Sequence, residues 1–314
     1  MAIRVKKFKA LADEWMIQKL QDVQSIKHRG NLIMWLCDYI LPVLGKTDYN
    51  KLYPDKVSQL LDNLKSTPET AKRCRGVCAE IYMFGTKYDP ICRDISEYVR
   101  SMKVVIKDKD KTRKYLAASY DIDLLRGIYL TAKGCQKSQR NMCALQLLML
   151  TCARPKNVRF AQWEEFHLSQ ERNVWLTPSK RTDIQANHVI PLSSQAIDLL
   201  KRIKSLNLDP QGSPYLFPAG IDNVLPDTAF TSAMKMMGVG SDTQTAFGMR
   251  YSAEVIIKEG FKSTEITPKD VHVVVMTFLD AVTADGKPQF PPDIFMKQRA
   301  ELAQWWADKL EGKI

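Results

Sequence analysis

The sequence lacks the features that mark membrane and secreted proteins. No run of about 18 apolar residues suggests a membrane span. The first residues, MAIRVKKFKALADEWM, contain charge but neither the apolar stretch nor the small-residue cleavage site of a secretion signal. The seven cysteines are an odd number scattered through helical patterns, which argues against a disulfide framework. We therefore expect a cytoplasmic protein with no membrane partner.

A metal-binding pattern is also missing. Cys74 and Cys78 lie one helical turn apart, but no histidine or second cysteine pair completes a zinc set. The two thiols are predicted to be buried side chains of a helix. We expect no metal ion and no other cofactor.

The charge, in contrast, is strongly positive and unevenly distributed. The 314 residues have a net charge of +11, and the length predicts two domains. Residues 1–114 contain 23 Lys and Arg against 14 Asp and Glu, whereas the remaining residues contain 23 against 21. Such a basic region indicates an anionic partner, with a solubilising surface as the alternative.

Hydrophobic periodicity predicts a mainly α-helical protein with a small β component. Residues 1–107 are predicted to form a helical bundle, with helices at 7–24, 28–43, 55–65 and 68–86. Residues 108–114 are a charged run without helical spacing and are predicted to be a basic linker. Residues 115–314 are predicted to mix a β-hairpin in NVWLTPSKRTDIQANHVIPLS with helices at 121–133, 137–151, 193–205, 226–237, 249–259, 266–280 and 293–311.

Basic side chains in the first third are candidate phosphate contacts. The helix at 68–86 carries three of them in its first two turns, where side chains and exposed N–H groups can both meet phosphates. The linker contributes three more, with a solvated loop as the alternative. These six residues are Lys72, Arg73, Arg75, Lys111, Arg113 and Lys114.

Two arginines of the second domain form the most specific pattern. Arg154 follows a buried helix, and Arg250 lies near the start of another. Two guanidinium groups on separate ordered elements can bind both non-bridging oxygens of one phosphate. The hairpin adds Lys180 and Arg181 as further candidate DNA contacts. Arginines that serve only the fold, and a solvated hairpin lysine, are the alternatives.

Several sequence segments are similar to those of a known family and occur in the same order along the chain. They include FKALADEWM, ETAKRCRGVCAEIYMFGTKY, LQLLMLTCARPKNVRFAQWEEFHL, HVIPLSSQAIDLL and MKQRAELAQWWADKLEG. Over almost its whole length the chain resembles the tyrosine recombinases, specifically the phage P4-like integrases. The resemblance implies a SAM-like α-helical core-binding domain followed by an α+β catalytic-type domain. It begins at about residue 7, so we expect no arm-binding domain before it.

The resemblance also implies a mechanism and a set of site residues. In the family, a tyrosine attacks DNA to form a 3′-phosphotyrosine, two arginines stabilise the phosphate, and a hairpin lysine and histidines handle protons. The arginines and lysine match Arg154, Arg250 and Lys180. At other family positions this sequence departs: Asn157 replaces an acidic residue, Phe247 and Ala281 replace histidines, and Phe290 replaces the tyrosine.

No tyrosine near Phe290 in the sequence replaces the missing nucleophile. The last tyrosine of the chain is Tyr251, beside Arg250 on a different element. We therefore expect no intact catalytic set and interpret the chain as an integrase-like pseudoenzyme. It would bind double-stranded DNA, with other integrase-like subunits, as a nucleoid-associated regulator or architectural partner of mobile-element or phage integration. The alternatives are an active recombinase with an unconventional or trans-supplied nucleophile, and a protein-interaction scaffold.

Overall fold

A computed structural model describes residues 7–23, 26–48, 54–88, 94–104, 117–170, 172–181, 186–208, 212–219, 224–263, 267–283 and 287–314. The chain divides into two compact units, Met1–Lys111 and Thr112–Ile314. The predicted mainly helical fold with a small β component is confirmed. Within the described ranges, no helix combines the length and the apolar character needed to span a membrane.

The first unit is the predicted helical bundle. The three apolar stripes at 7–24, 55–65 and 68–86 correspond to helices of nearly the same bounds, and the stripe at 28–43 corresponds to two helices joined by a π-helical turn, Trp35–Ile40. One short helix, α6, was not predicted. The helices are α1 Phe8–Asp22, α2 Ile26–Met34, α3 Leu41–Leu44, α4 Pro54–Asn63, α5 Pro68–Tyr88 and α6 Ser96–Ser101.

The core of this unit forms around α5. Cys74 and Cys78 are both buried there, as the sequence predicts. Burial raises the pKa of the Cys74 thiol to about 12, so this side chain is a neutral apolar group at physiological pH. Phe8 of α1 packs against Tyr82 of α5 with ring centroids 5.4 Å apart. The helix thus turns one face inward and leaves its basic residues on the other sides.

The second unit contains eight helices in its described part and one small antiparallel sheet. The predicted hairpin is confirmed: β2 (Asn173–Thr177) pairs with β3 (His188–Pro191), and a third strand, β1 (Phe166–Leu168), adds to the outer edge of β2. Short 3-10 turns precede β1 and follow β2. The helices are α7 Ile122–Gly134, α8 Gln139–Thr151, α9 Pro155–Arg159, α10 Ser194–Ser205, α11 Ala229–Met236, α12 Gly248–Gly260, α13 Pro268–Phe278 and α14 Met296–Glu311.

Helix α8 is the centre of this unit. Every residue from Met142 to Thr151 is buried, which agrees with a sequence that is apolar on most faces. The last helix, α14, packs against it through Trp306, whose indole Nε1 donates a hydrogen bond to the Met149 carbonyl oxygen at 2.7 Å. Trp306 is itself buried and belongs to the core of this unit. This packing fixes α14 relative to α8.

The end of α14 is held by a buried carboxylate. Glu311 accepts hydrogen bonds from Lys133 at 2.5 Å, Lys313 at 2.8 Å and Gln195 at 3.2 Å. Burial alone would raise the pKa of Glu311, but these hydrogen bonds outweigh it and lower the pKa from 4.5 to about 2. The charged carboxylate is therefore the form that stabilises the fold.

Acid should remove this stabilisation. Because the folded-state pKa is lower than the unfolded one, the contribution is present above about pH 5 and is lost as the pH falls towards 2. We expect Glu311→Gln to unfold more easily than wild type at neutral pH and to lose less stability on acidification. Urea unfolding between about pH 6 and pH 3 measures this. Glu164→Gln, on an exposed side chain of the same unit, is the control; equal pH dependence of all three proteins would contradict the assignment.

Candidate functional site

Arg154 and Arg250 meet at the turn that follows α13. Arg154 precedes α9 in an extended conformation, and Arg250 lies in the first turn of α12. Arg154 donates from Nε to Asp280 Oδ2 at 3.0 Å and from Nη2 to the Asp280 carbonyl oxygen at 2.8 Å. Arg250 donates to the carbonyl oxygens of Leu279 and, at 2.7 Å, of Cys152. The two arginines that the sequence singles out are thus brought to one place.

Asp280 is the acidic centre of this cluster. Its side chain is 8% exposed, and its Oδ1 lies 3.8 Å from Nδ1 of His188 on β3. Burial raises the pKa of Asp280, while the charge and hydrogen bond of Arg154 oppose that shift. Burial, together with the charges of Arg299 and Arg250, holds the pKa of His188 well below its usual value. His188 is therefore neutral, and Asp280 is the carboxylate that the arginines face.

A third arginine lies behind the first two. Arg299 on α14 is fully buried and donates to the carbonyl oxygens of Pro292, at 2.6 Å, and Val189. Its Nε has no hydrogen-bond partner among the described residues. Burial lowers the pKa of Arg299 to about 10, and the charge of Asp280 opposes this. The guanidinium stays charged at neutral pH.

Sequence reasoning missed His188, Arg299 and Asp280 as members of this cluster. A signal existed for Arg299, because it shares a helical face with the buried residues Leu302, Ala303 and Trp306 at spacings of three, four and seven. A charged residue on an apolar face needs an internal partner. His188 and Asp280 offered no comparable local signal.

Two of the residues that are predicted to depart from the family pattern, Ala281 and Phe290, lie beside Asp280. Phe290 is partly buried and borders a small depression together with His188, Asp280, Ala281 and Pro292. A phenyl ring, without a hydroxyl, therefore borders the same depression as Asp280. Ala281 follows Asp280 directly and brings no titratable group.

Phe247 and Tyr251 lie near the start of α12. Phe247 precedes the helix and is 42% exposed. Its ring centroid is 6.2 Å from that of Tyr251, which is 43% exposed. Tyr251 is next to Arg250 in the sequence and interacts with it electrostatically.

Arg181, a basic residue of the hairpin, binds a different carboxylate from the one that Arg154 binds. Arg181 lies in the 3-10 turn Ser179–Arg181 and makes a two-pronged ion pair with Glu165, one arm being 2.9 Å long. It also donates to the carbonyl oxygen of Asn157 at 3.2 Å. Both charged side chains are nearly buried, so this guanidinium is engaged within the protein. The side chain of Lys180 lies outside the described part of the structure.

Asn157, which the sequence predicts to replace an acidic family residue, is buried. It lies on α9, three residues after Arg154, and its Oδ1 has no hydrogen-bond partner among the described residues. The neutral amide leaves Arg154 without a carboxylate from this side. The acidic partner of Arg154 comes instead from Asp280.

The candidate contacts of the first unit also differ from one another. Arg73 is exposed on α5, and Lys72 is half-buried and paired with Glu69 at 2.6 Å. Arg75 donates to the Met102 carbonyl oxygen at 2.5 Å, which ties α5 to the segment after α6. Lys111, Arg113 and Lys114 lie outside the described residues.

The architecture is that of the lambda integrase, with a core-binding and a catalytic domain. A lambda integrase dimer bound to a COC′ core site has 13% sequence identity and a TM-score of 0.64, covering 94% of this chain and 77% of that one. A Tn1549 transposon integrase with a tyrosine-to-phenylalanine substitution, in complex with transposon right end DNA, has 12% identity and a TM-score of 0.59, covering 90% and 97%. At this level of identity the likeness defines the fold.

The chain is also similar to phage integrases in sequence. Residues 8–101 match the phage integrase central domain. The integrase of Enterobacteria phage P4 is 24% identical over 97% of this chain and 69% of its own length. The integrase of Shigella phage Sf6 is 23% identical over 98% and 76%. Together with the fold, these similarities agree with the resemblance seen in the sequence, to tyrosine recombinases of the phage integrase type and to the P4-like integrases.

Proposed function

We propose that this protein binds double-stranded DNA through the integrase fold without cleaving it, and acts as a regulator or architectural partner in integration or recombination. The observation that carries the proposal is the similarity to phage integrases over nearly the whole chain, both in sequence and in fold. The fold relatives include complexes with DNA as a dimer and, on a Holliday junction, as a tetramer. We propose the same partners for this chain: duplex DNA and other integrase-like subunits.

The charge distribution supports DNA as the partner. The basic excess lies in residues 1–114, and Arg73 is exposed on α5 with no hydrogen bond or ion pair among its described contacts. Phosphate contacts of this kind supply sequence-independent affinity. Arg73 and Lys72 are therefore proposed contacts, whereas Arg75 and Arg181 already bind groups of the protein.

The chemistry at the cluster supports the loss of cleavage. Strand cleavage in this family needs a hydroxyl that attacks phosphorus, and Phe290 brings none to the cluster. Ala281 and Phe247 likewise lack a group that transfers protons. The Tn1549 complex shows that an integrase with phenylalanine in place of a tyrosine can be captured on DNA. Loss of the hydroxyl is thus compatible with DNA binding.

A parallel gel experiment tests both parts of the proposal. The purified protein is incubated with labelled duplex DNA that contains a nicked, trapping phosphate, and is run on native and denaturing gels at two salt concentrations. We expect a shift on the native gel that fades with salt, and free DNA on the denaturing gel. An active recombinase used as a positive control shows that the substrate traps covalent complexes.

Two outcomes would contradict the proposal. A band that survives denaturation means a covalent link and an unconventional nucleophile; mass spectrometry of the adduct, with Tyr251→Phe as the first variant, would locate it. Absence of a shift at low salt would remove DNA binding and favour an interaction scaffold.

A further inference from the structure

Two N–H groups of the Arg154 guanidinium donate hydrogen bonds to one residue of the protein, Asp280. The Nε and Nη2 atoms bind the carboxylate and the carbonyl oxygen of Asp280, at 3.0 and 2.8 Å. A guanidinium group offers paired N–H donors in a plane, which suits carboxylates and phosphates alike. Asp280 therefore occupies the kind of position that an oxyanion would take.

The backbone of Asp280 holds the carboxylate there. The N–H of Asp280 donates to the Thr277 carbonyl oxygen at 3.1 Å, and that of Ala281 donates to Met276 at 2.9 Å. These two hydrogen bonds are typical of a helix C-terminus that is followed by a residue in the left-handed backbone conformation. That residue is most often glycine. Asp280 adopts this conformation, with φ of 53°, although it has a side chain. Its bonds to Arg154 and that of Leu279 to Arg250 offset the strain.

The positive charge of the arginines around the Asp280 carboxylate exceeds the negative charge that this carboxylate supplies. Arg154, Arg250 and Arg299 all act on Asp280, and a second carboxylate, the exposed Asp293, acts on Arg299. His188 adds no positive charge. The pKa of Arg250 is lowered to about 10, first by burial and then by Arg154, as expected where cations outnumber anions. A buried excess of positive charge favours a bound anion.

We propose that Asp280 is a built-in occupant of an oxyanion site formed by Arg154 and Arg250, and that its carboxylate excludes phosphate from these two arginines. Removal of the carboxylate would uncover a site for a tetrahedral oxyanion such as phosphate. The biological meaning of the inference rests on the proposed function, since the excluded ligand would be a DNA phosphate. Affinity for DNA would then come from contacts elsewhere.

Titration with inorganic phosphate, without DNA, tests this inference independently of DNA binding. We expect wild type to show no saturable binding by calorimetry and no saturable thermal stabilisation. Asp280→Ala and Asp280→Asn should each show saturable phosphate binding, at least about tenfold tighter than the weakest affinity the calorimeter detects, because the substitution removes a negative charge that repels phosphate from the buried site. Adding Arg154→Ala to Asp280→Ala should abolish the gain. Asp198→Asn, an exposed carboxylate on α10, is the matched control and should behave as wild type.

The result that overturns the inference is equally specific. Folded Asp280→Ala and Asp280→Asn proteins that titrate like wild type would show that the carboxylate excludes nothing. If neither variant folds, the wild-type titration decides. If wild type binds phosphate saturably and Arg154→Lys weakens that binding, the arginines are accessible to phosphate and the inference is wrong. If wild type shows no saturable binding, the result supports Asp280 as the residue that occupies the site.

Discussion

Replacing Arg181 by alanine is expected to lower the free energy of unfolding by about 3–5 kcal/mol, because the change leaves a buried carboxylate unpaired. The side chains of Arg181 and Glu165 are 9% and 5% exposed, and the guanidinium binds both carboxylate oxygens. After the substitution, Glu165 keeps a described hydrogen bond from Trp175 Nε1, at 2.8 Å. The buried charge would then have too few partners.

Urea unfolding of the variant measures this effect. Arg172→Ala, on an exposed arginine directly before β2, is the matched control and should change stability by no more than about 0.5 kcal/mol. A double variant, Arg181→Met with Glu165→Leu, should recover part of the loss, since no charge stays buried.

The same variants decide between two roles for Arg181. The sequence suggests a DNA contact, whereas the described contacts tie the residue to Glu165 and Asn157. Unchanged stability of Arg181→Ala, combined with weaker DNA binding, would contradict the stabilising role and favour the contact. Reduced stability with unchanged affinity of the folded protein would support the ion pair as its main role.

Raising the salt concentration from about 50 to about 200 mM is expected to weaken DNA binding by about a thousandfold or more, if the fold makes six to ten phosphate contacts as comparable DNA-binding proteins do. Each neutralised phosphate releases condensed counterions, so the logarithm of the affinity falls linearly with the logarithm of the salt concentration. Fluorescence anisotropy with labelled duplex DNA at several salt concentrations measures this slope.

Substitution of the exposed Arg73 should reduce the slope of the logarithm of DNA affinity against the logarithm of salt concentration. Arg73→Ala is expected to reduce it by about one, and to weaken binding equally for unrelated DNA sequences. Lys201→Ala, an exposed lysine of α10 that is not a proposed contact, is the control and should leave the slope unchanged. A slope near zero for wild type would contradict a binding mode that depends on phosphate contacts.

Much of the secondary structure follows from local pattern. The helix predicted at 68–86 is Pro68–Tyr88, and that predicted at 137–151 is Gln139–Thr151, because apolar spacing and proline in the first turn are local signals. Strand β1 and helix α6 escaped prediction, since three and six residues are too few to show a period. Both are stabilised by neighbours, β1 by pairing with β2 and α6 by packing on α5.

The sequence by itself indicated the resemblance to phage integrases and the mainly helical fold, and it singled out Arg154 and Arg250, because motifs and periodicity are local features of consecutive residues. Only the tertiary structure decided what these arginines bind. Arg154 and Asp280 are 126 positions apart, and Arg299 and Val189 are 110 apart. No local pattern relates residues at such separations. Their pairing depends on how α8, α13 and α14 pack, and burial then makes each charge require a partner within the protein.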